Sequence, residues 1–479
     1  MAADRSPLLA SQLGVWFAQR ISPDSPSYCV AQYIDICGSL DGEVLRAAVR
    51  QVIEEGESLR VAIRVDFEVP RQVVCAFPGE DVEFLDFSLE KDPEASAMAW
   101  MQDRQQETFD LETGPLFRFT LLALSGRRHC LHMRAHHLVL DGFSFGLLVA
   151  RLGAVYSALA KQRPLPGGAF PPFNLLVEEE AAYLMSEESV RQRRYWYRQL
   201  VGWPEPRSLA FGAPAGQVLG GPVLRARTQL SDLHVDRLRR LAAELRLPWT
   251  VVLVAAGAAF HARRTGERDV VVGMPVPGRP TGRLRRIPGM LANVLPLRLS
   301  VQPESRVEDY IRQTGSVVQE ALRNQRHRAE ELHRELTASG SGRLFSTQVN
   351  VMSYEHLVTF GDSTGEVVNL STGPADDLLL SFHGQSALTR LLLDVDANSL
   401  RYDRQAVLEI QHHFVEFLAD FIRRSDALLG QLVQLTAAEL KSALVRAGHV
   451  ATPAETSTSP CTLVEWFEWR VGCAPDAVA

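Results

Sequence analysis

Along Glu43–Glu57, Leu45, Val49, Val52 and Ile53 recur at helical spacing among charged residues, which predicts an amphipathic helix with one apolar stripe. The segments on either side, Tyr28–Cys37 and Leu59–Cys75, are rich in Val, Ile and Tyr and read as strands. Arg128–His136 alternates, with Leu131, Met133 and Ala135 on one face and His132, Arg134 and His136 on the other. A loop over His137–Phe143 follows, and Ser144 is placed to cap a helix running to about Leu159.

The second half repeats this mixture. Helices are predicted over Ser186–Val201, Leu233–Leu245, Trp249–Arg263, Val307–Gln325 and Arg404–Arg424. Asp269–Met274 reads as a buried strand, with alternating strands near Phe345–Tyr354 and Leu378–Asp394. A Pro/Gly cluster at Arg163–Phe173 marks a boundary between two halves. Each half mixes strands with helices, so the expected fold is α/β in two lobes, residues 1–175 and 176–442, without an all-parallel sheet. After about Leu440 the character changes: Ala451–Pro460 is a polar linker, and residues 443–479 read as that linker plus the truncated start of another domain.

Composition narrows the function classes. The chain has 479 residues, 46% hydrophobic and 22% charged, ordinary globular usage. Its net charge of −7 supplies no overall basic field for nucleic acid or an anionic membrane. The six cysteines, Cys29, Cys37, Cys75, Cys130, Cys461 and Cys473, have no CxxC spacing and read as reduced thiols of a cytoplasmic protein. The N-terminal residues lack an apolar core and a cleavage site, and Val251–Phe260 is too short to span a bilayer. Neither a nucleic-acid nor a membrane partner is expected.

The run that carries chemistry is His136-His137-Leu138-Val139-Leu140-Asp141-Gly142. Its bland reading is a hydrogen-bonded histidine pair at a strand end, followed by an Asp-Gly turn. Its functional reading is that a histidine at the end of a strand, before a loop and a helix start, takes a proton from an attacking amine or hydroxyl near neutral pH. Asp141 then either orients the ring or holds the loop, and Gly142 permits a tight turn.

HHLVLDGFS resembles the HHxxxDG core motif of nonribosomal peptide synthetase condensation domains, within the chloramphenicol-acetyltransferase-like superfamily. Further segments resemble the family in the same order. Ser11–Trp16 is similar to AQxRLW, with Gly14 where Arg is usual. Glu55–Arg60 keeps Glu57, Leu59 and Arg60 of RHExLR. Val270–Arg279 and Gly289–Arg298 resemble IGxPxAGR and GxFVNTLxLR, and Asn324–Leu332 echoes HQxxPFE mainly through Gln325. Asp376–Gly384 and Arg401–Leu418 resemble the closing segments. Gly14 and DGFSF (Asp141–Phe145) are similar to the subgroup in siderophore synthetases such as the enterobactin system, and the last residues resemble the opening of an adenylation domain.

The resemblance implies two chloramphenicol-acetyltransferase-like lobes in a V, with an active-site tunnel at their seam. It implies that His137 acts on an acceptor amine attacking a donor thioester, as general base or by positioning. It further implies that Asp141 pairs structurally with Arg279 and that His136 is buried. The implied partners are upstream donor and downstream acceptor carrier proteins and an adjacent adenylation domain. Substrates arrive on 4'-phosphopantetheine arms, and no tightly bound cofactor or metal is expected. Trp16 and Trp249 read as packing aromatics, and Arg283, Arg285 and Arg286 as a solvated loop. The rivals are an epimerisation domain, which follows a carrier protein, and a silent recruitment module of the same fold. The DxxxxD of heterocyclisation domains and the DFGWG of plant acyltransferases are absent.

Overall fold

Two six-stranded mixed sheets organise the chain. The computed structural model describes residues 5–432, apart from 68, 77, 78, 80, 81, 211–220, 337–342, 354–356 and 386. In the first sheet the spatial order is Leu357–Phe360, Ser363–Ser371, Cys29–Cys37, Arg128–His136, Phe117–Ser125, Glu83–Asp86. In the second it is Asn293–Ser300, Asp269–Val276, Thr347–Ser353, Leu378–Gly384, Leu391–Asn398, Val223–Gln229. Antiparallel pairs dominate both; the exceptions are Glu83–Asp86 along Phe117–Ser125, and Thr347–Ser353 along both of its neighbours. A small sheet of Arg5–Pro7, Val69–Val74 and Val61–Asp66 stands apart, so the segment read as one strand over Leu59–Cys75 is a hairpin.

The predicted helix after the first strand runs Gly42–Glu55, its N-terminal amides capped by the Asp41 carboxylate. Leu45, Val49, Val52 and Ile53 pack with the helix Gly142–Ala160 in the first core. That second helix is long and apolar enough to cross a membrane by length and composition, yet its Leu148, Leu152 and Val155 are core residues. Around the second sheet, Trp249–Thr265 is buried on all sides from Val251 to Ala262 and packs against Asp232–Leu245, Val307–Arg323 and Arg404–Arg423. An uninterrupted apolar helix is what such a position requires.

Two features depart from a linear reading. Leu357–Phe360 and Ser363–Ser371 come from the second half yet extend the first sheet, Ser363–Ser371 pairing along Cys29–Cys37 and Leu357–Phe360 along Ser363–Ser371, and Leu176, Leu284, Ile287 and Met290 also join the first core. The second half therefore contributes segments to the first lobe across the expected division at residue 175. Second, the polar face of Arg128–His136 is covered: His132 packs edge-on to Trp100 and the Arg134 guanidinium lies 4.7 Å from the Phe109 ring. Trp16 is buried and Trp249 packs partly buried against the second core, as expected of packing aromatics. Cys29, Cys37, Cys75 and Cys130 are free thiols. The linker and adenylation-like start read at residues 443–479 lie outside the described residues.

Candidate active site

Strand Arg128–His136 ends on the first histidine of the pair, His137 opens the turn after it, and the two rings meet different fates. His136 is fully buried. Its Nδ1 accepts from the Leu138 amide at 3.1 Å, so the proton sits on Nε2, which donates to Gln19 Oε1 at 3.2 Å. Gln19 is fixed in that sense because its amide nitrogen donates to the carbonyls of Ser22, Pro23 and Ser25. Burial pushes the His136 pKa down to about 3, with the neighbouring His137 adding to the shift. This ring is a neutral structural part.

His137 is only partly buried. Its backbone amide donates to the Tyr28 carbonyl at 2.7 Å, and its Nδ1 lies 2.9 Å from the Leu140 carbonyl oxygen. A carbonyl only accepts, so Nδ1 carries the proton and Nε2 presents a lone pair. Burial lowers the pKa from the ordinary histidine value, while the Asp141 charge and the bond to Leu140 offset part of that shift. The product is a neutral imidazole with a fixed tautomer and a free acceptor nitrogen.

Asp141 does not orient this ring; it builds the loop. Its Oδ1 accepts from the Ser144 amide and hydroxyl, both at 2.9 Å, making it the N-cap of Gly142–Ala160. Its Oδ2 accepts from Arg279 Nη1 at 2.7 Å and from the amides of Leu291 and Ala292 at 3.0 and 3.1 Å. Burial would raise this carboxyl's pKa, but the charge and hydrogen bonds of Arg279, together with the backbone amides, hold it below the usual range. Two expectations are corrected by this geometry. The cap is Asp141, with Ser144 its partner, because a carboxylate at the first non-helical position reaches the Ser144 amide directly. Gly142 takes the first helical position and no left-handed turn is built on it.

Arg279 and Asp141, 138 positions apart, thus meet across the two halves, both buried. Arg279 Nη2 donates to Ser144 Oγ and the Gly289 carbonyl at 2.8 and 2.9 Å, Nη1 also reaches the Pro277 carbonyl, and Phe143 stacks beneath the guanidinium at 4.9 Å. Gly278, at φ +66°, lets the chain pass Leu291, whose oxygen a Cβ would approach to 2.1 Å. The motif residue Gln12 donates to the Leu138 carbonyl at 3.1 Å and so ties the histidine loop to the first helix. Asn293 secures the segment after Asn324 by donating to the carbonyls of Gln325 and His327. Of the basic loop, Arg283 faces Glu179 at 3.5 Å and Arg285 donates to the Arg279 carbonyl; none touches His137. Among the described residues no cluster of His, Cys, Asp and Glu has metal-binding geometry.

Some partners carry no sequence signal: Gln19 and the carbonyls of Leu140 and Gly289. Backbone acceptors leave no side-chain signature, and Gln19 lies outside the Ser11–Trp16 motif.

The Condensation domain family model matches residues 2–444, and the chain belongs to that family, the condensation domains of nonribosomal peptide synthetases. The general reaction of that family is peptide-bond-forming acyl transfer. The chain is 32% identical over 473 residues to a dimodular nonribosomal peptide synthase of Bacillus subtilis, covering 98% of this chain and 20% of that protein. It is 27% identical over 472 residues to enterobactin synthase component F of Escherichia coli, covering 93% and 36%. It therefore spans about a third or less of these curated relatives. Among solved structures it is similar to the first condensation domain of the calcium-dependent antibiotic synthetase bound to a substrate analogue. That match has a TM-score of 0.84 and 32% identity, over 91% of this chain and all of that one. The starter condensation domain of rhizomide synthetase matches at a TM-score of 0.76 and 33% identity, covering 91% and 100%.

His132 and His136 both have folded pKa values of about 3, below the ordinary unfolded value of about 6.5. Between those limits the unfolded chain binds protons that the folded chain does not, so stability is full above about pH 6.5 and falls as pH drops. Each ring removes up to about 1.4 kcal/mol per pH unit. His136→Ala should abolish its share of this slope. It should also cost about 1–3 kcal/mol at pH 7 by stranding the Leu138 amide and Gln19 Oε1. Denaturant melts of both proteins at several pH values check the slope and the offset together.

Proposed function

We propose that this domain forms an amide bond between a donor acyl or peptidyl thioester and an acceptor aminoacyl thioester, both delivered on phosphopantetheine arms of carrier proteins. The observation that carries the reading is the Nδ1–Leu140 bond, which leaves His137 Nε2 as a lone-pair acceptor at the motif position. The neutral acceptor amine donates its N–H to that nitrogen as its own lone pair attacks the thioester carbonyl. The C–N bond forms, the tetrahedral intermediate collapses, and the C–S bond breaks. The donor arm leaves as a thiol, taking up the proton that the amine gives up. Asp141 and Arg279 hold the loop. His137 is the catalytic residue, and His136 is its buried support.

The donor carrier lies upstream and the acceptor carrier downstream, an adenylation domain adjoins in the same polypeptide, and the setting is the cytoplasm. Membership of a synthetase family and the likeness of the last residues to an adenylation domain support this arrangement. No tightly bound cofactor enters the reaction, since an activated thioester, an amine and a histidine complete it.

Reconstitution with loaded donor and acceptor carriers, read by intact-protein mass spectrometry, tests the proposal. The expected result is movement of the donor acyl mass onto the acceptor carrier. Carrier binding with no transfer would mark a recruitment module instead. The rate should show two acidic limbs: one from the acceptor amine, which is neutral only above a pKa of about 8, and a further fall below a pKa lower than 6.5, where His137 becomes protonated. A profile of His137→Ala that keeps the lower of these limbs would contradict the assignment.

A further inference from the structure

The strand Ser363–Ser371 ends beside the catalytic ring, and the turn after it is held by side chains of the second sheet's strands Leu391–Asn398 and Val223–Gln229. Gly373, at φ +97°, lies against His137: a Cβ there would stand 3.0 Å from Cδ2 and 3.5 Å from Nε2. Ser371 Oγ donates to the Cys29 carbonyl at 3.1 Å and accepts from the Gly373 amide at 3.4 Å. Thr372 Oγ1 donates to Asp396 Oδ2 at 3.2 Å. Asp396 is buried and receives a bidentate pair from Arg225 at 2.6 and 2.7 Å.

Arg225 also reaches back to the strand Ser363–Ser371, donating to Asn369 Oδ1 at 3.1 Å and the Leu370 carbonyl at 2.8 Å. Beside it, Arg227 holds Asp394 bidentately at 2.6 and 2.7 Å and donates to the Asn369 carbonyl at 2.7 Å. His383 Nε2 lies 2.9 Å from Asp394. Buried charge of this kind is a poor source of stability, because desolvation offsets the attraction. What the network does deliver is geometry, since its bonds converge on the short segment from Asn369 to Gly373 that ends at His137.

We propose that Thr372 and Gly373 are positioning residues for the acceptor amine. Thr372, anchored through Asp396 to Arg225, fixes the turn, and the missing side chain of Gly373 leaves the space before His137 Nε2 that the attacking primary amine enters. The proposal rests on the amide-forming reading above, and it names the wall that the amine passes. A methyl at residue 373 fills that space and also burdens a left-handed backbone position, so the amine is excluded. A loosened turn leaves the space present but ill defined, which weakens acceptor binding more than the chemical step.

The test compares Gly373→Ala, Thr372→Val and Thr372→Ser, with acceptor and donor aminoacyl and acyl thioesters varied separately. Gly373→Ala should lower kcat/KM for the acceptor at least about 10²-fold, the loss that a misplacement of roughly 1 Å produces. Thr372→Val keeps the shape and removes the hydroxyl, and should raise the acceptor KM about tenfold, near the worth of one hydrogen bond to a charged group. The donor KM should hold, and Thr372→Ser should restore the acceptor KM. An independent readout is the His137 signal in 13C NMR of labelled histidine, assigned by its loss in His137→Ala. It should shift in Gly373→Ala and Thr372→Val and return in Thr372→Ser. An unchanged acceptor KM, or an unmoved His137 signal, in the alanine and valine variants overturns the proposal. If the unmodified protein forms no amide at all, the amide-forming reading fails, and the NMR comparison still decides whether the turn positions the ring.

Discussion

Asp141→Ala and Arg279→Ala should each destabilise the protein by about 3–5 kcal/mol, because each strands one charge of a buried ion pair. A typical domain has only about 5–15 kcal/mol of stability in total, so either loss is large. The geometry behind the expectation is dense: the Asp141 carboxylate accepts five hydrogen bonds, from Ser144, Arg279, Leu291 and Ala292. Asp141→Ala additionally removes a helix cap, worth about 1 kcal/mol. In the double variant neither charge is stranded, so its loss should be smaller than the sum of the singles by about 1–3 kcal/mol. Urea melts of the four proteins of this cycle measure that coupling. Strict additivity would mean that the pair contributes nothing as a pair. Activity should fall only as far as folding and loop order fall. An Asp141 variant with normal stability and a rate loss equal to that of His137→Ala would instead indicate a triad, an arrangement the bond from His137 Nδ1 to Leu140 argues against.

His137→Ala should reduce amide formation about 10²–10⁴-fold, the usual worth of a positioned acid–base group, with little change in melting temperature. The ring is partly exposed, and among the described residues its side chain's one hydrogen bond is to the Leu140 carbonyl, next to the chain's turn toward Asp141. His136→Ala should show the opposite balance, stability first and rate second. The contrast between adjacent histidines separates the two roles within one strand end.

Much of the site is legible in the order of residues alone. Alternation in Arg128–His136 locates the strand to the residue, the HHxxxDG likeness names His137 and Asp141, and the IGxPxAGR likeness names Arg279. Other features are hidden for physical reasons. Ser363–Ser371 (STGEVVNLS) is half polar and becomes a strand by pairing along Cys29–Cys37, more than three hundred residues earlier in the chain, a partner that no local pattern announces. The clean alternation of Arg128–His136 suggests one wet face, but Trp100 and Phe109 cover it. Ser144 resembles a cap because it is a serine before an apolar helix; the carboxylate three residues earlier has the better position. Gly373 and Thr372 belong to none of these motifs; only the folded chain brings Gly373 against His137 and Thr372 onto Asp396.

In the proposed reaction a neutral His137, oriented by Leu140 and not by Asp141, drives transfer of an acyl group onto an amine. Single-turnover transfer between a loaded donor carrier and a loaded acceptor carrier, comparing the unmodified protein with His137→Ala at pH 7 and with melting temperatures matched, tests it most directly. The expected result is rapid appearance of the condensed acceptor mass in the first and a rate at least about 10²-fold lower in the second. Equal transfer rates in the two proteins would contradict it.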